Sequence, residues 1–369
     1  MTGIALVGCG AMGEIVARTV YPALGLAASV EGGAVRTGAV REGGTARASA
    51  TQQGSTTRPT AFHEGRTVLA AAIDPNPTRA AAVADLTGAR PFTSLAQARN
   101  ELDISAVDVR VPHHLHAPVV LEALAAGCHV LVEKPFATTL HDARTMVAAA
   151  EKADLVLAVA ENYPHLRAVR DARTALDAGV IGEIVALRST RAYQVGGVWV
   201  RDGWRHGGGP SGGILLDQGT HQVSLLRHLG GPVEAVAAAG GADTVSLTLR
   251  MASGVVAQSV LTWSSPGPAA QAEATVLGSG GRLDVVVDYE AHEGGCDIWT
   301  PGRAERLRNE NYYDSHRLIV EDWLRSISDS AEPVVPGREG LEDLAVVLAA
   351  AESLEKGGVF VEVDSGAGS

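Results

Sequence analysis

The sequence predicts an α/β chain of two domains. The first is a parallel sheet with helices on both faces; the second is an α/β domain built on a large, mostly antiparallel open sheet. Three observations predict this. A strand, a glycine turn and a helix open the chain between Ile4 and Val20. Strand and helix patterns then alternate as far as Ala160, which implies parallel strands joined by helical crossovers. From Val233 to Thr300, strand follows strand with only turns between them, which implies antiparallel pairing. A length of 369 residues suits two domains, and the change of pattern divides them into 1–160 and 161–369.

The first element is Ile4-Ala-Leu-Val7, a short apolar strand. Gly8, Gly10 and Gly13 follow on the G-x-G-x-x-G spacing, enclosing Ala11 and Met12, and a helix runs from Glu14 to about Leu26. The glycines allow a tight turn, a close approach of backbone to a pyrophosphate, and close packing of helix on strand. The helix N-terminus offers free N–H groups and a positive dipole end to phosphates. Spacing alone is weak, because glycine turns are common; its place after the first strand makes this a dinucleotide site. Residues 29–65 are rich in Gly, Thr, Ser, Ala and Arg and lack sustained periodicity. A helix-to-strand connection usually takes only about 2–6 residues, so this is an inserted surface segment at the edge away from the cofactor crevice. A loop without a role, an oligomer contact and a reach into the site remain open for it.

Strand Thr67–Ile73 ends in Asp74, where a dinucleotide domain places the carboxylate that binds the adenosine ribose; a carboxylate repels a 2′-phosphate and favours NAD over NADP. The alternative for Asp74 is an N-cap of the next helix. Helices at 77–86 and 95–101 and a strand at 106–111 follow, closed by Pro112. His113, His114 and His116 crowd the next loop, but no partner spacing accompanies them, so no metal site is expected. His113 is a candidate cofactor contact, and His116 opens the helix that ends at Ala126. Strand 129–132 leads to Glu133-Lys134-Pro135, at the edge where a nicotinamide would lie. A lysine there can be desolvated beside a cationic ring and brought into an acid/base range. Helix 141–152 and strand 155–160 complete the first domain.

In the second half, a helix at 166–176, a turn at 179–182 and a strand at 184–193 precede a loop-rich stretch with Trp199, Trp204 and Arg205. A helix from about Leu216 to Leu229 carries Asp217 and His221, four apart and so on one face. Such a pair suits a base with an orienting carboxylate; a cap plus a surface histidine fits the spacing equally. Strands at 233–238, 244–251, 255–263, 272–277, 282–287 and 297–300, helices at 314–328 and 338–356, and a last strand at 359–363 finish the chain.

The composition narrows the partners. The formal net charge is −12, against nucleic acid as a main partner, since phosphate binding needs clustered cations. Three scattered cysteines argue against a disulfide framework, and no uninterrupted apolar run of about 18 residues suggests a membrane span. With the first strand beginning at once after the first residues, a cytoplasmic protein is the expectation.

With Gly8/Gly10/Gly13, Asp74, Glu133-Lys134-Pro135 and Asp217-x-Gly219-x-His221 in place, the chain resembles the Gfo/Idh/MocA oxidoreductase family over nearly its whole length. The stretches from Val111 to Ala117, Ala126 to Pro135, Gly179 to Ile184 and Gly212 to Asp217 share in the likeness. Residues 29–65 are not typical of the family, His113 stands where relatives often have asparagine, and Asn162-Tyr163-Pro164-His165 replaces a commoner arginine-containing form. The resemblance implies a Rossmann domain, NAD as cofactor, and a second domain whose sheet covers the active site and often mediates homo-oligomers, dimers or tetramers. It implies that His221 is the base for a hydroxyl, that Lys134 hydrogen-bonds the same oxygen, and that Asp217 positions both. Tyr163, Trp204 and Arg205 match pocket-lining positions. Pro112, His113, His116, Glu133 and Lys134 join Gly8, Gly10, Ala11, Met12, Gly13 and Asp74 as expected cofactor contacts. The expected reaction is hydride transfer between nicotinamide and a secondary alcohol or ketone of a sugar, a glycoside (aminoglycoside or nucleotide sugar included) or a cyclitol. NAD-assisted glycoside cleavage and a non-catalytic NAD-binding regulator are the alternatives.

Overall fold

A computed structural model of the chain describes residues 2–26, 67–194, 213–267, 270–288, 291–311, 314–364 and 366. The stretch 29–65, and Trp204 and Arg205 with it, lie outside the described residues.

The glycine-bearing strand β1 (Thr2–Val7) sits in the middle of a six-stranded sheet. It pairs in parallel with β2 (Thr67–Ile73) on one side and β4 (Ile104–Val109) on the other. With β3 (Arg90–Phe92), β5 (His129–Glu133) and β6 (Leu157–Ala160), the order is β3-β2-β1-β4-β5-β6. The order reverses between β1 and β4, and at such a point the C-terminal strand ends open a crevice for a ligand. Alternation along β1 divides the core. Ile4 and Leu6 pack in one cluster with Val16, Val20 and Tyr21 of α1 (Ala11–Ala23). Ala5 and Val7 face the other way, in the cluster holding Val120 and Leu124 of α4 (His116–Ala125). Helices α2 (Pro77–Thr87), α3 (Leu95–Glu101) and α5 (Leu140–Ala153) fill the remaining crossovers.

The second sheet has nine strands: β7 (Ile184–Ala192), β8 (Val233–Gly240), β9 (Thr244–Met251), β10 (Val256–Thr262), β11 (Ala270–Gly278), β12 (Gly281–Asp288), β13 (Glu293–Thr300), β14 (Arg303–Asn311) and β15 (Val361–Glu362). Their order is β14-β13-β12-β11-β7-β10-β9-β8-β15, and every pairing is antiparallel except β7 with β10. Helices α6 (Arg167–Asp177), α7 (Thr220–Gly230) and α9 (Gly337–Glu355) cover one face. The other face shows Val256, Val260 and Trp299 exposed.

Two features depart from the expected layout. The boundary at 160 separates the sheets, but α8 (Asp314–Asp329) returns to the first one: Ile319, Val320 and the fully buried Trp323 pack with Ile4, Leu6 and Tyr21. The chain then runs along β6, where Val159 N–H donates to the Val335 carbonyl at 2.9 Å. Strands β3 and β14 were not expected. β3 is three residues long and contains a proline, so it carries no periodicity; β14 is an edge strand studded with Arg303, Glu305 and Arg306, a composition that guards exposed edges rather than marking strands.

Candidate active site

The glycine turn is built as its spacing implies. Gly8 has φ +99°, and a Cβ there would lie 2.5 Å from the Arg110 carbonyl oxygen. A Cβ on Gly13 would lie 2.0 Å from the Gly8 carbonyl oxygen, so the turn closes against its own helix. At Gly10 no heavy atom comes within 4 Å of an added Cβ. The one open glycine is therefore the one whose backbone must approach a pyrophosphate. Gly10 is also the N-cap of α1 and supplies no side-chain cap, leaving first-turn N–H groups for an anion. A dinucleotide fits this cradle. Ala11 and Met12 belong to the same turn.

Asp74 lies at the end of β2 and is buried. Its Oδ2 accepts the Cys9 N–H at 3.0 Å, and its Oδ1 accepts the Asn76 N–H at 2.8 Å. It thus ties the second strand to the glycine turn. The N-cap role belongs to Asn76, whose side chain accepts the Thr78 N–H at 3.0 Å. Burial pushes the Cys9 thiol up to about 12, with the Asp74 charge adding to it, so this cysteine stays a neutral packing residue.

Beyond β4, Pro112 caps a short 3-10 turn at His113–Leu115. His113 is buried, with its ring 5.7 Å from that of His116. His116 is fully buried, with Nδ1 2.8 Å from the Pro135 carbonyl oxygen and Nε2 3.0 Å from that of Val111. Both ring nitrogens face protein carbonyls, so the ring bridges two loops. Burial is the main reason its pKa falls below the ordinary histidine range.

Glu133 is likewise an internal tie. One oxygen pairs with Arg110 and the other accepts the Lys134 N–H at 3.1 Å. Arg110 also donates to Asp108 at 2.6 Å, and Asp108 accepts the Tyr21 hydroxyl at 2.7 Å. The Tyr21–Asp108–Arg110–Glu133 chain is buried throughout and sets the backbone on which Lys134 stands. Burial opposes the charge on Arg110, but the two carboxylates outweigh it and hold the guanidinium charged.

Lys134 Nζ donates to Asp217 Oδ1 at 2.6 Å and to the Asp217 carbonyl oxygen at 3.0 Å. Asp217 lies in a π turn, Leu215–Gly219, that precedes α7. This is wider than the α-turn expected, and π turns inside helices are frequent at functional sites. Asp217 is therefore not the partner of His221. His221 Nδ1 lies 2.8 Å from both carboxylate oxygens of Glu161, the residue after β6. Glu161 and Asp217 are each 1% exposed. Burial alone would raise the Glu161 carboxyl; the His221 ring, the Tyr163 N–H and Lys134 together turn the net shift downward. Lys134 and His221 are thus each paired with a buried carboxylate, and their side chains keep 11% and 15% exposure.

Tyr163 comes to the same place. It is buried, its hydroxyl donates to Glu273 Oε2 at 2.6 Å, and its ring meets the His221 ring edge-on at 5.5 Å. Gln222 Nε2 and Arg191 Nη1 also donate to Glu273, both at 3.1 Å. Sequence reading missed Glu161, Arg110, Asp108 and Glu273. Glu161 stood at a strand's C-terminal end beside the noted Asn162-Tyr163, and that position was the available signal. Among the described residues no group of three or more His, Cys, Asp or Glu could hold a metal ion.

A glycine cradle at a topological switch point, with a lysine and a histidine each held by its own carboxylate beyond β5 and β6 of the same sheet, defines a two-domain, dinucleotide-binding architecture. Comparison with known proteins gives the family. Residues 44–161 match the GFO_IDH_MocA family, described as an oxidoreductase family with an NAD-binding Rossmann fold, and residues 169–284 match the GFO/IDH/MocA C-terminal domain. The uncharacterized oxidoreductase YdgJ of Escherichia coli is 30% identical over 254 residues, 68% of each chain. The chain belongs to the Gfo/Idh/MocA family. Its N-terminal half is accordingly an NAD-binding Rossmann domain, and the glycine turn lies ahead of the matched range, joined to it through the pairing of β1 with β2. The 1,5-anhydro-D-fructose reductase of Ensifer adhaerens is 36% identical over 192 residues, covering 49% of this chain and 57% of that protein. The chain thus aligns with little more than half the length of that relative. The WlbA dehydrogenase of Bordetella pertussis, solved in complex with NADH and UDP-GlcNAcA, superposes with a TM-score of 0.73 at 23% identity, covering 98% of this chain and 99% of that one; it shares the fold.

Proposed function

We propose that the protein is an NAD-dependent oxidoreductase acting on a secondary alcohol or ketone of a sugar, glycoside or cyclitol. The observation that carries this reading is the pairing of Lys134 with Asp217 and of His221 with Glu161, both at the C-terminal edge of the parallel sheet. The glycine turn and Asp74 would hold the dinucleotide, and bound NAD supplies a hydride acceptor or donor at that edge. His221 takes the hydroxyl proton of the substrate or returns it to the forming alcohol. Lys134, steadied by Asp217, donates to the same oxygen as negative charge gathers on it. The water-poor, mostly buried setting strengthens both contacts. Sugars are supported as the substrate class by the anhydrofructose reductase and by the bound UDP-GlcNAcA of the WlbA structure. We read the chain further as a cytoplasmic homo-oligomer, a dimer or tetramer. The exposed Val256, Val260 and Trp299 on the outer sheet face support the oligomer, and no described helix is long and apolar enough to cross a membrane; light scattering tests the assembly.

The test of function is absorbance in the reduced-nicotinamide band, with NAD and NADP in parallel against cyclitols, free sugars, nucleotide sugars and aminoglycosides. Reduction with one class is the expected result. Tight NAD binding with no absorbance change on any of them would replace this reading by NAD-assisted glycoside cleavage with retained cofactor or by an NAD-binding regulator.

A further inference from the structure

We infer that Glu161 is the positioning residue for His221, fixing the imidazole so that Nε2 faces the substrate hydroxyl. The inference rests on the oxidoreductase reading for its chemistry and on geometry for its substance. An ionised carboxylate only accepts hydrogen bonds, and both oxygens of Glu161 lie 2.8 Å from Nδ1. Nδ1 therefore carries the ring proton, and in the neutral ring the lone pair belongs to Nε2. Asp217, the carboxylate closer in sequence, pairs with Lys134 at 2.6 Å, and the carboxylate at Nδ1 is that of Glu161. Each functional cation-former has its own carboxylate, drawn from a different part of the chain.

Glu161 is itself held. It directly follows β6, the last strand of the parallel sheet, it is 1% exposed, and its Oε1 accepts the Tyr163 N–H at 3.1 Å. Tyr163 then turns its ring against His221 and anchors its hydroxyl on Glu273. The remaining titratable or charged groups that act on this pair are Lys134 from β5, His165 from the turn after β6, His316 from α8 and Asp343 from α9. Glu133 and Arg110 reach it through His316. Among these, Glu161 alone is within hydrogen-bond distance of the His221 ring. In the proton step, the hydroxyl proton moves to Nε2, the Nδ1–H stays in place, and Glu161 remains a carboxylate facing the new imidazolium. Its charge acts most where the ring is cationic, which is how an orienting carboxylate raises rate as well as order.

Two variants test this. In the protein labelled with ¹⁵N histidine, with His221→Gln used for assignment, the His221 ring of the wild type should show the Nδ1–H tautomer; Glu161→Ala should shift it toward Nε2–H or a mixture. An unchanged Nδ1–H tautomer in Glu161→Ala overturns the inference, whatever the enzyme does. Glu161→Gln keeps the shape and removes the charge. On the substrate class found above, it should lower kcat about 10- to 100-fold, the worth of one charge-assisted hydrogen bond, while KM and NADH affinity stay near wild type. Glu161→Asp should recover part of the loss. Wild-type kcat in Glu161→Gln overturns the positioning role. If the wild type turns over no substrate, the oxidoreductase reading falls, and the tautomer measurement still decides this one.

Discussion

Replacing Gly10 with alanine should separate cofactor binding from folding. Gly10 has φ −79° and ψ −160°, a backbone conformation open to any residue, and an added Cβ meets no heavy atom within 4 Å. In such a place alanine leaves the folded protein unstrained and stabilises it by about 0.4–1 kcal/mol through the unfolded chain. The same methyl group fills the space through which a pyrophosphate reaches the first N–H groups of α1. Losing one charge-assisted hydrogen bond there costs about 1.5–3 kcal/mol, which is a roughly 10- to 150-fold weaker Kd. NADH titration by fluorescence and a thermal melt, run on the same preparation, read the two effects. The expected result is a Tm at or slightly above wild type with NADH affinity down by that factor. Gly13→Ala is the contrasting control, because its Cβ would sit 2.0 Å from the Gly8 carbonyl oxygen and must disturb the turn itself. Wild-type affinity in Gly10→Ala would mean that the phosphates do not lie over this glycine, and the cradle argument would be refuted.

Lys134→Ala should cut kcat by about 10²–10⁴-fold, the range of a lost proton-donating group, with NADH affinity nearly intact; an active variant would remove the lysine from the mechanism. The same variant should melt lower, since Asp217, at 1% exposure, loses its cation. Asp74→Asn removes the charge and keeps an acceptor for only one of the Cys9 and Asn76 N–H groups, its amide NH2 facing the other, so it should narrow the preference for NAD over NADP and lower the Tm; an unchanged ratio of the two Kd values would assign the ribose contact to another group. His165 and His316 are each lowered by burial to about 4 from the ordinary 6.5. Above pH 6.5 folded and unfolded states hold the same proton count at these rings. As pH falls from there toward 4, the unfolded chain takes up protons that the folded one refuses, so stability drops by up to about 1.4 kcal/mol per pH unit for each ring. Melting curves across that window should show the loss, and a His316→Gln variant should lose less; a flat profile contradicts the burial argument.

The parallel sheet was legible because its signals are local. Apolar runs bounded by Gly, Pro and acidic residues set the strands, and the glycine spacing set their centre. What was not legible involves return of the chain. Nothing in the amphipathic pattern of 314–328 says that Trp323 packs on β1 rather than on the nearer second sheet, since any apolar groove would bury that face. β14 escaped for the opposite reason. Its charged residues belong to an edge, where sequence reads as loop although the backbone pairs with β13 from Thr300/Arg303 to Gly295/Arg308 before the register shifts.

The site shows the same division more sharply. Lys134 was found from its place at a strand end and Asp217 and His221 from their spacing, but the spacing pointed the histidine toward Asp217, whereas its Nδ1 meets Glu161. An i,i+4 pair on a helix predicts contact only if the helix is regular, and the π turn at Leu215–Gly219 breaks that condition. Once Asp217 is drawn to Lys134, a second acid must serve His221, and Glu161 supplies it from 60 residues away. Arg110 follows from the same accounting. Glu133, next to the lysine, and Asp108 are both buried, and each needs a cation to offset the loss of water. Placing a guanidinium between them satisfies both and leaves the Lys134 ammonium to Asp217. Arg110 is thus part of the reason the lysine has a free task, although no motif spacing pointed to it.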